Sequence, residues 1–186
     1  MAEQQVNIEM LKEMVMYITE KCKMKDTFAY THLNKILHYS DMFWYGEHGS
    51  SISGETYIKQ KFGPISKHIK IVERLLKKDG FMDVKAIPFW NREQKKPISL
   101  KSYPYRLLTE QQKQHLNKFI DWLGNKTAAE LREYAKTDLS YSILDKGSEI
   151  PYDSVYFLKQ TKKEDITEDD LKWANEVIEE YEKSLE

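Results

Sequence analysis

The chain has 186 residues, enough for one domain with a sizeable hydrophobic core. Hydrophobic residues make up 40% of it, charged residues 32%, and the net charge is −1, which excludes a disordered chain and a strongly charged one. One cysteine excludes an intramolecular disulfide. No apolar stretch reaches membrane-spanning length and the first residues do not resemble a signal peptide, so we expect a cytoplasmic protein.

The first quarter of the sequence predicts two amphipathic helices. Apolar residues recur at helical spacing over residues 5–23, at Ile8, Leu11, Val15, Ile18 and Cys22. Cys22 lies on this apolar stripe, which favours a core residue over a nucleophile. A second helix is predicted over residues 28–45, and Gly46 is expected to end it.

A glycine-rich connection follows. Four of the seven glycines lie between residues 46 and 63, which predicts a shaped surface loop with a short extended piece over residues 56–62. Gly63-Pro64 is typical of a helix start, so a third helix is expected to begin at Pro64. Its predicted buried face consists of Ile65, Ile69, Val72 and Leu76.

The remaining elements alternate between strand-like and helical patterns. Residues 84–101 predict a β-hairpin with a polar tip at 91–96. Thr109 and the pair Thr127 and Glu130 predict caps for helices over 110–123 and 128–136. An acidic final helix is predicted over 168–185. The expected fold class is therefore mainly α, with α+β character: a compact single domain spanning 1–186, with about six helices and one small hairpin near 84–101.

The sequence carries no metal-binding or nucleotide-binding motif, and its five histidines include no pair at i,i+4 spacing. We therefore expect neither a metal nor a cofactor. His38, Asp41 and Glu47 could form an acid–base group, but a hydrogen bond that orients the helix end explains the first two more simply. Without a nucleophile, these residues do not predict an enzyme.

Charge is distributed unevenly along the chain. Residues 59–101 contain twelve Lys or Arg against four Asp or Glu, whereas residues 161–186 contain four Lys against ten acidic residues. One interpretation is a solvated charged surface; the other is a basic face that binds an anionic partner. A nucleic-acid-binding regulator that uses the 59–101 region stays open as an alternative, although nucleic acid is not the expected partner.

Three separated motifs resemble the antitoxin SocA-like Panacea domain family, which includes phage-associated proteins. The matching residues are Lys35, Ile36, Leu37 and Asp41, then Ile52, Gly54, Glu55 and Tyr57, then Gly63, Pro64 and Ile65. A closing segment with Glu130, Leu131, Ile150, Pro151 and Tyr152 extends the resemblance to about residues 8–157. His38 departs from the usual Tyr, Ser53 from a frequent Thr, and Tyr141 lies near the usual Trp.

The resemblance implies a non-enzymatic antitoxin that neutralises a cognate protein toxin by direct binding, and in one branch of the family delivers it to a Clp-type protease. Aromatic and basic groups near the glycine-rich loop are the expected partner-binding residues: Trp44, Tyr45, Tyr57, Lys59, Lys61, Phe62 and Lys67. The expected structural residues of the motif are Asp41, Gly54, Gly63 and Pro64. Toxin contacts from the hairpin and the other helices remain an alternative.

Overall fold

The computed structural model describes residues 5–89, 92–138 and 143–157. The helices are α1 (Ile8–Lys21), α2 (Tyr30–His48), α3 (Ile69–Lys78), α4 (Glu110–Leu123) and α5 (Ala128–Thr137), followed by a 3-10 helix (Tyr152–Phe157). The strands are β1 (Tyr57–Gln60), β2 (Gly63–Ser66), β3 (Met82–Phe89), β4 (Arg92–Ser99) and β5 (Glu149–Ile150).

The fold is α+β, with two antiparallel sheets, and the prediction of a helical domain with about six helices and a single hairpin is wrong. Strands β2, β1 and β5 form a three-stranded sheet, and β3 pairs with β4 in a second sheet. The extended piece predicted over 56–62 contains β1, but its pairing with β2 and β5 was not predicted. The described residues contain five α-helices and the 3-10 helix. The helix predicted over 168–185 lies outside them.

Local capping signals identify most helix ends. The side chain of Asn7 accepts a hydrogen bond from the Met10 amide at 3.0 Å, at the start of α1. Thr109 and Thr127 form capping boxes at α4 and α5, so both predicted helices are confirmed. Gly46 does not end α2; the left-handed residue at the helix end is Gly49, with φ 71°.

The prediction that Pro64 starts a helix is wrong. Pro64 lies in β2, opposite Lys59 of β1, and α3 begins five residues later at Ile69. Proline lacks an N–H and is tolerated on the edge of a sheet, and β2 is such an edge strand. Ile65, predicted to be buried on a helix, is 39% exposed on the outer face of β2.

The hairpin predicted near 84–101 is confirmed and spans β3 and β4, with Met82 opposite Ser99. The predicted polar tip at 91–96 is shorter than expected, because residues 92–96 belong to β4. The hairpin packs against α1 and α3.

The hydrophobic core lies between α1, α2 and α4 and extends under both sheets. Its fully buried side chains include Leu11, Val15, Ile36, Leu37 and Leu116. Cys22 is buried among them, and burial raises the pKa of its thiol to about 11. The thiol therefore stays protonated at neutral pH, as expected of a core residue rather than a nucleophile.

Candidate functional site

Asp41 on α2 anchors the glycine-rich loop from inside the protein. Its fully buried carboxylate accepts hydrogen bonds from the backbone amides of Ile52 at 3.0 Å and Ser53 at 3.1 Å. The hydroxyls of Tyr57, at 2.7 Å, and Ser53 donate to its other oxygen. A buried carboxylate without such donors would be strongly destabilising. The four bonds therefore fix the loop before β1 onto α2.

Burial raises the pKa of the Asp41 carboxyl to about 6, although the hydrogen bonds from Ser53, Tyr57 and Ile52 favour its charged form. Burial also raises the pKa of Tyr57 well above its usual value, and the nearby charge of Asp41 adds to this effect. Tyr57 is therefore a permanent donor to Asp41 at neutral pH. The pair acts as a structural hydrogen bond in the interior.

Glu55 fastens the other end of the loop. Its buried carboxylate accepts hydrogen bonds from the Ser66 hydroxyl at 2.9 Å and from the Thr56 amide at 2.7 Å. It also contacts Nδ1 of His68 at 2.9 Å, just before α3. Glu55 thus links the loop, the end of β2 and the start of α3. We refer to Asp41, Ser53, Glu55, Tyr57, Ser66 and His68 together as the signature network.

The outer edge of β2 is closed by α2. The Ser66 amide, which points away from β1, donates to the side-chain oxygen of Asn34 at 3.1 Å. Pro64, the other β2 residue with its backbone nitrogen on that side, has no N–H to offer. The edge therefore presents no unsatisfied amide to which another strand could add.

Two glycines allow this close packing. Gly54 has φ 69°, and a Cβ built there would lie 2.6 Å from the backbone oxygen of Gln5. Gly63 has φ 130°, and a Cβ there would lie 2.5 Å from Nζ of the buried Lys35. Both backbone conformations disfavour residues with side chains. The two positions are therefore scaffold positions rather than contact positions.

His38 lies beside this network in the interior. Its ring makes edge contacts with Tyr39 and Tyr57, with centroids 4.8 and 5.0 Å away. Burial, and secondarily the charge of Lys35, lowers the pKa of His38 to about 3. The imidazole is thus neutral at physiological pH. Because His38 and Asp41 are buried whereas Glu47 is exposed, these residues do not form an accessible acid–base site.

The segment from β5 to the 3-10 helix closes over the loop. The Tyr152 hydroxyl donates to the backbone oxygen of Glu55 at 2.6 Å, and the Tyr45 hydroxyl donates to Asp153 at 2.7 Å. A Cβ on Gly46 would lie 3.1 Å from Val155, so glycine allows α2 and the 3-10 helix to approach closely. Residues about a hundred positions apart in sequence thus meet at the signature network.

The family model described as "Antitoxin SocA-like, Panacea domain" matches residues 33–139. The chain belongs to this family. The match begins in α2 and includes the whole signature network, but it ends before the Ile150-Pro151-Tyr152 element that the sequence resemblance included. No curated protein and no solved structure matched the chain.

In this Panacea domain, the seven residues expected to bind the partner differ in their exposure to solvent. Tyr57 is fully buried and Trp44 is 8% exposed, stacked on His48. Tyr45 is partly buried through its bond to Asp153, and Lys59 donates to the backbone oxygen of Leu144. Three residues remain at the surface: Lys61, Phe62 and Lys67.

The three surface residues lie on or beside the β1–β2 hairpin. Lys61 and Phe62 form the two-residue turn between Gln60 and Gly63, and Phe62 is 58% exposed. Lys67 follows β2 and forms an ion pair with Glu149 at 2.8 Å. Lys61, Phe62, Ile65 and Lys67 together are called the turn surface below.

Several residues in or next to the signature network were absent from the expected site residues. Glu55 and Tyr152 appear in the family resemblance, but nothing in their spacing assigns them a structural role. Asn34, Ser66 and His68 carry no local signal, because their partners are distant in sequence. Polar residues on apparently exposed positions of a helix or loop resemble ordinary surface residues until the tertiary contacts are known.

In the described ranges, no group of three or more His, Cys, Asp or Glu side chains has a metal-binding arrangement.

Of the helices that the structure describes, none has the length and apolar composition needed to cross a membrane.

Proposed function

We propose that this protein is a cytoplasmic antitoxin that neutralises a cognate protein toxin by direct binding. The observation that carries the proposal is membership of the SocA-like antitoxin family, whose matched region contains the complete signature network. The family also supports a non-enzymatic role. In this proposal the network holds the surface in shape, and the toxin contacts exposed groups.

The turn surface is our proposed contact region. Phe62 offers an exposed aromatic ring at the end of a two-residue turn, and aromatic anchors contribute much of the energy of many interfaces. Lys61 places positive charge beside it, which would attract an acidic toxin surface and accelerate association. Lys67, whose charge is paired with Glu149, lies next to this turn at the end of β2. The hydrogen bonds of Asp41 and Glu55 hold the preceding loop and following helix, so little ordering would accompany binding.

The direct test is co-expression with the protein encoded by the adjacent open reading frame. We expect this neighbour to arrest growth alone, and the present protein to restore growth and to co-purify with it as a stable complex. A neighbour that is not toxic, or a toxin that neither binds nor is neutralised, would contradict the proposal.

Delivery of the toxin to a Clp-type protease is a second form of the same function that the family resemblance implies. Masking and delivery differ in the half-life of the toxin when both proteins are expressed. A masked toxin accumulates in the complex, whereas a delivered toxin disappears and reappears when the protease gene is deleted. The half-life measured in both strains therefore distinguishes the two.

A further inference from the structure

The exposed side of α3 is basic along its whole length. Ile69, Val72 and Leu76 bury one side of the helix in the core. The opposite side exposes Lys70, Ile71, Arg74, Lys77 and Lys78, which helical spacing places on one surface about 15 Å long. This surface contains no exposed carboxylate of α3, because Glu73 is partly buried and bonded to Tyr30 and Lys70.

The β3–β4 hairpin continues this positive surface. It begins at Met82, shortly after α3 ends at Lys78, and packs against the helix through β3. Its exposed side chains include Lys85, which lies on the same face of the hairpin as Asp83, the ion-pair partner of Lys77 on α3. Lys95 is also exposed, but it lies opposite Ala86 and therefore on the other face of the hairpin. Lys85 lies directly opposite Lys96 in the strand register. Like charges directly opposite each other destabilise a sheet. The stability of the hairpin therefore does not explain this lysine pair.

Ion pairs neutralise only part of the positive charge of this surface. Lys70 is paired with Glu73 and Lys77 with Asp83. In the part of the chain that the structure describes, three exposed cations of this surface form no ion pair: Arg74, Lys78 and Lys85. These three residues are called the basic face.

Helix capping accounts for only part of the basic face. Positive charge in the last turn of a helix is favourable, which explains Lys77 and Lys78. Arg74 lies one turn earlier, and Lys85 lies on the hairpin, where the helix dipole has no effect. Two of the three cations therefore need another explanation.

We propose that α3 and the β3–β4 hairpin form a binding surface for double-stranded DNA. The major groove of B-DNA is about 12 Å wide and admits one α-helix, so α3 would enter it with its exposed side. Arg74 and Lys78 would contact phosphates and guanine edges, while Lys85 would contact a phosphate that flanks the groove. The narrow major groove of duplex RNA would not admit the helix.

The chemistry of α3 also predicts the kind of binding. Its exposed side offers Arg, Lys and Ile but no Asn or Gln, so it lacks the side chains that read adenine. Phosphate contacts would therefore supply most of the affinity, with little sequence preference. This surface is separate from the turn surface, and the inference does not depend on the antitoxin proposal.

The test measures binding of the full chain to a fluorescent 20-base-pair DNA duplex as a function of salt. Three phosphate contacts predict a slope of roughly −3 in log affinity against log salt concentration. Replacing Arg74→Glu and Lys78→Glu together is expected to weaken binding at least tenfold and to make the slope shallower by about 2. Both side chains are exposed, so urea unfolding should confirm that the variant is folded.

A charge-matched control variant carries Lys23→Glu and Lys118→Glu, two exposed positions outside α3 and the hairpin. It should bind the duplex within about twofold of the wild-type protein, as expected for charges that make no phosphate contact. Absence of duplex binding at 50 mM salt, an equal loss in both variants, or tighter binding to duplex RNA would each overturn the proposal. Loss of toxin binding by the α3 variant, without any DNA binding by the wild-type protein, would instead identify a protein interface and also overturn it.

Discussion

The signature network and the basic face contain charged residues in opposite situations. In the network, Asp41 and Glu55 are fully buried and their oxygens are occupied by hydrogen-bond donors from the loop, β1, β2 and the start of α3. On the basic face, Arg74, Lys78 and Lys85 are exposed and form no ion pair among the described residues. Family-typical residues here maintain the shape of the protein, whereas the exposed charges and aromatic groups are available to partners.

The largest expected effect on stability comes from a substitution that breaks the signature network. Asp41→Ala would leave the amides of Ile52 and Ser53 and the hydroxyl of Tyr57 without their acceptor in the interior, at a cost of about 4 kcal/mol in the free energy of unfolding. Urea unfolding followed by circular dichroism measures this loss. Asp121→Ala, at an exposed position of α4, is the control and should change stability by less than about 0.5 kcal/mol. Similar small losses in both variants would show that the network does not hold the fold.

Two glycines with the same backbone conformation allow the cost of backbone strain to be measured apart from the cost of a packing clash. Gly49 has φ 71° with no atom near its missing Cβ, whereas Gly54 has φ 69° and faces the Gln5 backbone at 2.6 Å. Gly49→Ala should cost about 1 kcal/mol from the left-handed conformation alone. Gly54→Ala should cost about 2 kcal/mol more, because the backbone around Gln5 must move. Equal losses in thermal or urea unfolding would contradict the close approach of these segments.

His38 gives the network a measurable pH dependence. Its pKa in the folded protein, about 3, lies below the unfolded value of 6.5. The unfolded chain therefore takes up this proton first as the pH falls, so the stability from neutral His38 is complete above pH 6.5 and is lost towards pH 3. Asp41, whose pKa is raised to about 6, acts in the opposite direction over its own range.

Comparing the wild-type protein with His38→Phe isolates the contribution of His38 to the pH dependence of stability from those of Asp41 and the other buried histidines. Between pH 7.5 and pH 5, the wild-type protein should lose about 2 kcal/mol more unfolding free energy than the variant, because one pKa unit corresponds to about 1.4 kcal/mol. The measurement is urea unfolding at both pH values. Parallel pH profiles for the two proteins would mean that His38 is not buried in its neutral form.

Much of the helical structure was predictable because its signals are local. The apolar spacing of α1 and the capping pairs at Thr109 and Thr127 lie within a few residues of the helices that they define. The hairpin β3–β4 was predictable for the same reason. Each of these elements requires only a short stretch of sequence to specify it.

The three-stranded sheet could not be predicted in full from local patterns. Gly63-Pro64 has the local pattern of a helix start, but pairing with β1 across a two-residue turn and the hydrogen bond to Asn34 hold a strand there. The third strand, β5, pairs with β1 from far along the chain. The roles of Glu55 and Lys35 were hidden in a similar way. A charged residue in a sequence suggests the surface, and only long-range contacts reveal that these two are buried.

The central claim is that exposed groups of the turn surface bind the toxin, while the buried network only holds that surface in shape. Measuring the toxin affinity of surface variants tests this claim directly. Phe62→Ala should leave the unfolding free energy within about 0.5 kcal/mol of wild type, since the side chain is 58% exposed. It should weaken toxin binding about tenfold, which corresponds to about 1.4 kcal/mol. The control is Met24→Ala, an exposed apolar residue between α1 and α2, which should bind as the wild type does. Unchanged affinity for Phe62→Ala, or an equal loss for Met24→Ala, would contradict the account.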